Sequence, residues 1–307
     1  MEWIEQRDKG KPYFLFLHTK AVHEVPRGKS RSGSPYDKPK RYLEQFLTPE
    51  QIKSWKGREK NAGKLHKIEH QIADGVFDPE DLPRETLSEL IAFYDAGIRF
   101  VDEALGELIE ALEGMEDGQK TLLIITADHG EGLLDHNFLF HREVYEELLH
   151  VPLIVHDPLL GAGQRVKEPV RLSDVVPTIL SWAGIETPPS MTGRKLIPAS
   201  GGEARGPRDF FGYYRSSDRL DYEGYSLRRG NWKIVLERLA HQDELYPSLF
   251  DLDRDPDELQ PIEDRPEVIQ ALKGLVEWYR DKSFGEGEGA SIELDDEVRG
   301  WLEALGY

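Results

Sequence analysis

A chain of 307 residues that contains no cysteine and carries a formal net charge of -19 excludes several readings at once. It has no disulfide, no thiolate metal ligand and no cysteine nucleophile, and its acidic balance argues against a nucleic-acid partner. No apolar run approaches the roughly 20 residues that cross a bilayer, so no membrane span is expected.

The chain opens on "MEWIEQRDKGKPYFLFLH", which reads as the end of an amphipathic helix, a Lys-Gly-Lys-Pro break, and a buried parallel strand at "YFLFL" (13–17). There is no signal-peptide apolar region behind a basic start. So abrupt an entry into a helix-to-strand crossing leads to the expectation of further sequence upstream. Residues 27–84 are polar and punctuated by proline, and are expected to form a long excursion over one face of a sheet. The basic charge concentrates here: residues 20–70 hold 13 Lys/Arg against 6 Asp/Glu.

From 85 to 115 the apolar residues fall at helical spacing (Leu87, Leu90, Ile91, Tyr94, Ile98, Val101, Leu105, Leu108, Ile109, Leu112), which predicts one long amphipathic helix ending near Gly114. "TLLIITA" (121–127) is a second buried strand, and "VPLIVHDP" (151–158) a third. Strand, helix, strand is the pattern of an α/β sheet. "LSDVVPTILSWAGI" (172–185) reads as a helix with Ser173 as its cap. "GGEARGPR" (201–208) reads as a linker, which divides the chain into domains 1–200 and 207–307. Beyond it come short alternating pieces separated by turn residues, the pattern of a small antiparallel sheet, and a closing amphipathic helix at 265–283. "DLDRDPDEL" (251–259) imitates a calcium loop, but Pro256 and Ile262 stand where an EF-hand needs Gly and a carboxylate, so a turn is expected.

The residues that carry chemistry follow two of the strands. Asp128 and His129 stand directly after "TLLIITA", where open α/β sheets place their ligands. A carboxylate beside an imidazole, with Gly130 allowing a sharp turn, suits a divalent metal that polarises an anionic oxygen. The plainer alternative is an Asp that caps the next helix beside a merely polar His. His18 and His23 follow "YFLFL" in the same way. Convergent His and Asp content at two strand ends of one sheet favours a site.

The segments "PYFLFLHTKAVHEVP", "LIAFYDAGIRFVDEALGELIEALE", "TLLIITADHGEGLLDHNFLFHREVYEELLHVPLIV", "RLSDVVPTILSWAGI" with "TGRKLIP", "LRRGNWKIVLER" and "LFDLDRDPDEL", with the closing "LDDEVRGWLEALGY", occur in an order that resembles the C-terminal two-thirds of sulfatases, members of the alkaline phosphatase superfamily. The resemblance implies a mostly parallel α/β sheet sandwiched by helices, here incomplete, plus a small C-terminal antiparallel sheet with a helix. It implies that Asp128 and His129 are two ligands of one divalent metal. Calcium suits an all-oxygen site, whereas an imidazole ligand tilts the choice toward manganese or zinc. Asp-His in place of the commoner Asp-Asn also occurs in phosphonate monoesterases and related diesterases of the superfamily. His23 and His141 match positions that contact the sulfate or protonate the leaving oxygen, so both are expected to be catalytic and substrate-binding. His18 is a looser substrate-binding match, and Glu131, His136 and Tyr145 are expected to play support roles.

The family's formylglycine nucleophile arises from a Cys or Ser in Cys/Ser-x-Pro-x-Arg, and an Asp-Asp pair completes its metal site. Neither has a counterpart here: "SGSPYDKPK" (32–40) brings Ser32 and Ser34 near Pro35 without the required Arg. The leading expectation is a truncated sulfuric ester hydrolase, inactive alone, whose substrate is a sulfated small molecule or glycan. A phosphonate or phosphate diesterase, and a non-catalytic fragment that grips a polyanion through residues 20–70, stay open beside it. Oligomeric state and compartment are not fixed; the family occupies periplasmic, extracellular and cytoplasmic locations in bacteria.

Overall fold

The computed structural model describes residues 2–23, 34, 36–55, 59–115, 117–158, 160, 163, 165–196, 208–216, 222–239 and 242–284. They divide into two compact units, one of residues 1–123 with 156–160 and one of residues 124–155 with 161–307. The linker expected at 201–208 lies outside the described residues except for Arg208, as do 294–307 and most of 27–35.

The first unit contains α1 (Glu2–Gln6), α2 (Lys40–Leu43), α3 (Pro49–Trp55), α4 (Glu59–Ala73) and α5 (Arg84–Glu113). The α5 helix matches the predicted long helix within two residues at each end. Pro83 precedes its first turn and Gly114 caps its end, as the sequence signals suggest. Its buried face is Glu89, Leu90, Phe93, Ala96 and Gly97. Aromatic residues pack edge-on against this helix: Trp55 on Phe93 (5.4 Å between ring centroids), Tyr36 on Tyr94 (5.5 Å) and Tyr42 on Phe100 (5.1 Å). Each such pair contributes about 0.5–1.5 kcal/mol beyond the area it buries. The excursion expected over 27–84 is therefore largely helical from residue 40 onward. Its apolar residues are few, but Tyr42, Leu43, Leu47, Ile52, Trp55 and Leu65 are all buried, and they anchor short helices that composition alone reads as loop.

The expected buried strand at "YFLFL" is corrected by the structure. Residues 13–17 belong to no strand and pair with none among the described residues, and Phe14, Phe16 and Leu17 are 69, 77 and 64% exposed. A parallel strand is buried only where flanking strands and covering helices enclose it. Its apolar content shows what it can pair with, not that it is paired. Tyr13 is anchored by a hydrogen bond between its hydroxyl and Thr121 Oγ1 (2.9 Å) and by the Arg7 guanidinium over its ring (4.2 Å).

In the second unit β1 (Leu123–Thr126) pairs with β4 (Leu153–His156), the two strands expected from "TLLIITA" and "VPLIV". Between them stand a hairpin of β2 (Gly132–Leu133) and β3 (Leu139–Phe140), and a single helical turn, α6 (Glu146–Leu149). After a 3-10 turn at Leu172–Asp174 comes α7 (Val175–Trp182). Ser173 is not its cap. The Asp174 carboxylate instead accepts the Arg171 N–H (2.9 Å), because the chain enters through that tighter turn. The strands β5 (Asp209–Arg215), β6 (Glu223–Arg229), β7 (Trp232–Arg238) and β8 (Tyr246–Asp251) form an antiparallel meander, followed by α8 (Pro266–Phe284). The "DLDRDPDEL" segment is a turn, with Asp255 accepting the N–H groups of Leu259 (3.1 Å) and Gln260 (2.8 Å).

Strand alternation sorts the two faces of this sheet. Tyr225, Leu227, Ile234, Leu236 and Leu249 pack on Val268, Leu272, Leu275 and Val276 of α8. Burying each such side chain contributes about 1.5–3 kcal/mol. The intervening residues of β7 face the other way. Val235 packs on Val144 and Tyr145, Lys233 bonds Glu146 (2.9 Å), and Glu237 accepts the Tyr145 hydroxyl (3.0 Å). One face of the meander therefore holds the 143–149 segment in place. No helix among the described residues is long and apolar enough to cross a membrane.

Candidate functional site

The strand β1 ends at Thr126, whose hydroxyl donates to the Pro152 carbonyl (2.8 Å) and ties the strand end to the entry of β4. Asp128 and His129 follow at once. The His129 N–H donates to Asp128 Oδ1 (3.2 Å), closing a tight turn. Gly130 is required next: its N–H donates to the Leu148 carbonyl (2.8 Å), and a Cβ there would stand 1.8 Å from the Glu147 carbonyl oxygen. The turn is thereby pinned to α6.

His129 Nδ1 lies 2.8 Å from the Gly130 carbonyl. A carbonyl only accepts, so Nδ1 carries the hydrogen and Nε2 presents its lone pair, 4.0 Å from Asp128 Oδ1. An imidazole whose second nitrogen is anchored to a backbone carbonyl is the usual posture of a metal ligand. The donor chemistry of the pair, one nitrogen and one exposed carboxylate oxygen at a strand end, fits a divalent cation.

The His141 ring stacks on the His129 ring, with centroids 4.7 Å apart and planes 25° apart. It follows β3 directly, and Phe140 before it adopts φ 72°, as Leu134 (74°) and Asn137 (67°) do in the hairpin loop. Left-handed backbone at two non-Asn residues is strained and persists where packing enforces it; Phe140 is fully buried. Glu131 Oε2 stands 3.9 Å from His141 Nδ1. The structure thus brings Asp128, His129 and His141 together. His18 and His23 belong to the first unit. His18 is exposed in the segment after residue 12, and His23 is half-buried at the end of the bend at 21–23.

The same unit holds a set of buried and half-buried charged residues, of which the resemblance singled out only His136, as a support residue. Its members are His136, Glu143, Glu146, Glu147, Lys233, Glu237 and Glu258. Glu237 is held up by burial despite hydroxyl donors from Tyr145 (3.0 Å) and Tyr222 (3.2 Å). Lys233 bridges Glu146 (2.9 Å) and Glu258 (2.8 Å). The only local signal was the repetition of acidic residues in "HREVYEE" within an apolar frame. Asp135 closes the hairpin turn, its carboxylate accepting the Leu133 N–H (3.1 Å).

The sulfatase family model matches residues 1–185, and one described as N-sulphoglucosamine sulphohydrolase, C-terminal, matches residues 134–282. Mouse arylsulfatase K is 30% identical over 285 residues, covering 89% of this chain and 50% of that protein. Human arylsulfatase K is 33% identical over 199 residues, covering 62% of this chain and 36% of that protein. The chain spans about half the length of the curated relatives it matches. Among solved structures, the phosphonate monoester hydrolase of Agrobacterium radiobacter matches with a TM-score of 0.64 and 24% identity, covering 91% of this chain and 58% of that one. A protein solved with its substrate D-glucosamine-2-N,6-O-disulfate matches with a TM-score of 0.58 and 18% identity, covering 94% and 69%. These likenesses show the fold, which is alkaline-phosphatase-like, as the sequence implied. With the sulfatase family model matching more than half of its residues, the chain belongs to the sulfatase family.

Proposed function

We propose that this chain carries the metal-binding and sulfate-contacting part of a sulfuric ester hydrolase. The observation that carries the reading is the Asp128–His129 pair at the end of β1, with the His141 ring stacked on His129. When bound there, a divalent cation supplies Lewis-acid polarisation of the sulfate oxygens. Asp128 and His129 Nε2 would hold it, and the Gly130 carbonyl fixes the tautomer that makes Nε2 a ligand. His141 binds a sulfate oxygen and hands a proton to the leaving alcohol oxygen, with Glu131 beside Nδ1 setting the ring. His23 and His18 are assigned further sulfate contacts. The imidazole ligand favours manganese or zinc over calcium.

The substrate is proposed to be a sulfated glycan or aryl sulfate, in keeping with the arylsulfatase K relatives and the disulfated glucosamine bound by a structural neighbour. The second reading, a phosphonate or phosphate diesterase, is favoured by the Asp-His pair and by the likeness to phosphonate monoester hydrolases.

The 307 residues contain neither a cysteine nor a Ser-x-Pro-x-Arg, so they offer no formylglycine nucleophile, and the chain alone is proposed to be inactive. An aryl sulfate assay with manganese or calcium tests this. No turnover above a His129→Ala control is expected; turnover above it contradicts the reading.

A further inference from the structure

We propose that His136, Glu143 and Glu147 form a second cation site, separate from Asp128 and His129, that takes a first-row transition dication such as Zn²⁺. The ligand atoms of the three side chains lie within 4.8 Å of one another.

His136 directs Nδ1 at a Glu147 carboxylate oxygen, while its Nε2 meets the Glu258 carbonyl at 3.0 Å. The carbonyl only accepts, so Nε2 carries a hydrogen and Nδ1 is the atom that holds either a proton or a cation. This is again the anchored posture of a metal-binding imidazole. The ring is locked flat on Tyr145, with centroids 3.8 Å apart and planes 5° apart. Left-handed Leu134 and Asn137 on either side of it fix the loop that delivers it.

Glu143 supplies the second, independent observation. It is 3% exposed, and no hydrogen-bond donor among the described residues reaches either of its oxygens; its side-chain neighbour is the Glu147 carboxylate. The charges around it are chiefly carboxylates: Glu147, Glu237 and Asp135. Burial, then repulsion by Glu147, pushes its acid up to about 10. A buried carboxylate without a donor is strongly unfavourable. A single dication on His136 Nδ1 and the Glu143 and Glu147 carboxylates compensates all three groups. One imidazole nitrogen and two carboxylate oxygens form the donor set of zinc, with manganese the next candidate.

The test uses the 307-residue chain carrying Asp128→Asn and His129→Ala, which removes the first pair of ligands. Equilibrium dialysis against Zn²⁺ with elemental analysis should find one ion per chain. Calorimetry in buffers of different ionisation enthalpy at pH 7 should show protons released on binding. Adding Glu143→Gln or His136→Gln should weaken binding by more than the roughly 10–100-fold cost of losing an outer-shell partner. A folded double variant that binds no zinc overturns the proposal, and so do Gln variants that bind zinc as tightly as their parent. If the double variant does not fold, ions are counted on the unaltered chain: two are expected, falling to one in Glu143→Gln, and an unchanged count overturns the proposal. A single ion on the unaltered chain that Asp128→Asn with His129→Ala does not remove would instead speak against the proposed function and leave this site standing.

Discussion

His129 and His141 lie ring over ring, centroids 4.7 Å apart, although eleven residues and a hairpin separate them in the chain. The stacking joins a group suited to hold a cation to one suited to hold the anion that the cation attracts. Their roles separate by experiment. His141→Ala should weaken binding of an aryl sulfate by roughly tenfold or more, in line with loss of a charged hydrogen bond of about 1.5–3 kcal/mol. Manganese affinity should stay nearly unchanged. Isothermal titration of each ligand in turn checks this.

Gly130 is the point at which the ligand turn touches α6. Gly130→Ala would set a Cβ 1.8 Å from the Glu147 carbonyl, so the backbone must shift on one side or the other. A stability loss of about 1–3 kcal/mol is expected from such overpacking, together with weaker binding of the first cation. Denaturant unfolding and metal titration report the two effects separately.

Asp174 is fully buried and accepts four hydrogen bonds: two from the Arg208 guanidinium (2.6 and 2.5 Å), one from the Arg194 N–H (2.7 Å) and one from the Arg171 N–H (2.9 Å). Burial works against its charge, but these donors outweigh it and hold the carboxyl below its ordinary value of 3.8. A depressed acid stabilises the fold above its unfolded pKa and loses that contribution as pH falls through the folded value. The melting temperature should therefore drop as the pH is taken below about 3.8. Asp174→Ala should cost about 3–5 kcal/mol at neutral pH, because Arg208 is left buried and unpaired, and should flatten that acid limb. Thermal melts across the acid range check both.

Lys233 is 1% exposed and ties β7 to Glu146 and Glu258. Lys233→Met keeps the volume but leaves the buried Glu258 carboxylate without its cation, while Glu146 keeps only Arg228 (3.3 Å). A loss of about 3–5 kcal/mol is expected, with hydrogen exchange speeding up in 143–149 more than in α8, since α8 is held by the apolar cluster on the opposite face of the sheet.

These two residues also show what the sequence could and could not disclose. The periodicity of α5, β1 and α8, and the alternation in β6 and β7, arise from neighbours within one element, so they are readable locally. Asp128 and His129 stand out for a related reason, since residue type at a strand end implies chemistry, whereas His141 enters only through the resemblance to sulfatases. The Lys233 bridge, the orphaned Glu143 and the His136–Tyr145 stack join residues that tertiary packing alone brings together, and the pattern of "HREVYEE" gives no hint of their partners. "YFLFL" misled in the opposite direction. Its composition states a capacity for burial, and the exposure of Phe14 and Phe16 depends on what pairs with it. In 40–73 sparse aromatics outweigh a polar composition, because a few fully buried rings suffice to seat a short helix on α5.

The most direct test of the central claim is equilibrium binding of an aryl sulfate to the manganese-loaded chain, compared with a phosphodiester of the same aryl group. Metal-dependent binding that prefers the sulfate, and that disappears in the Asp128→Asn, His129→Ala variant, is the expected result. Binding unaffected by chelator and by those substitutions would contradict the account, and preference for the phosphodiester would move the assignment to the diesterase reading.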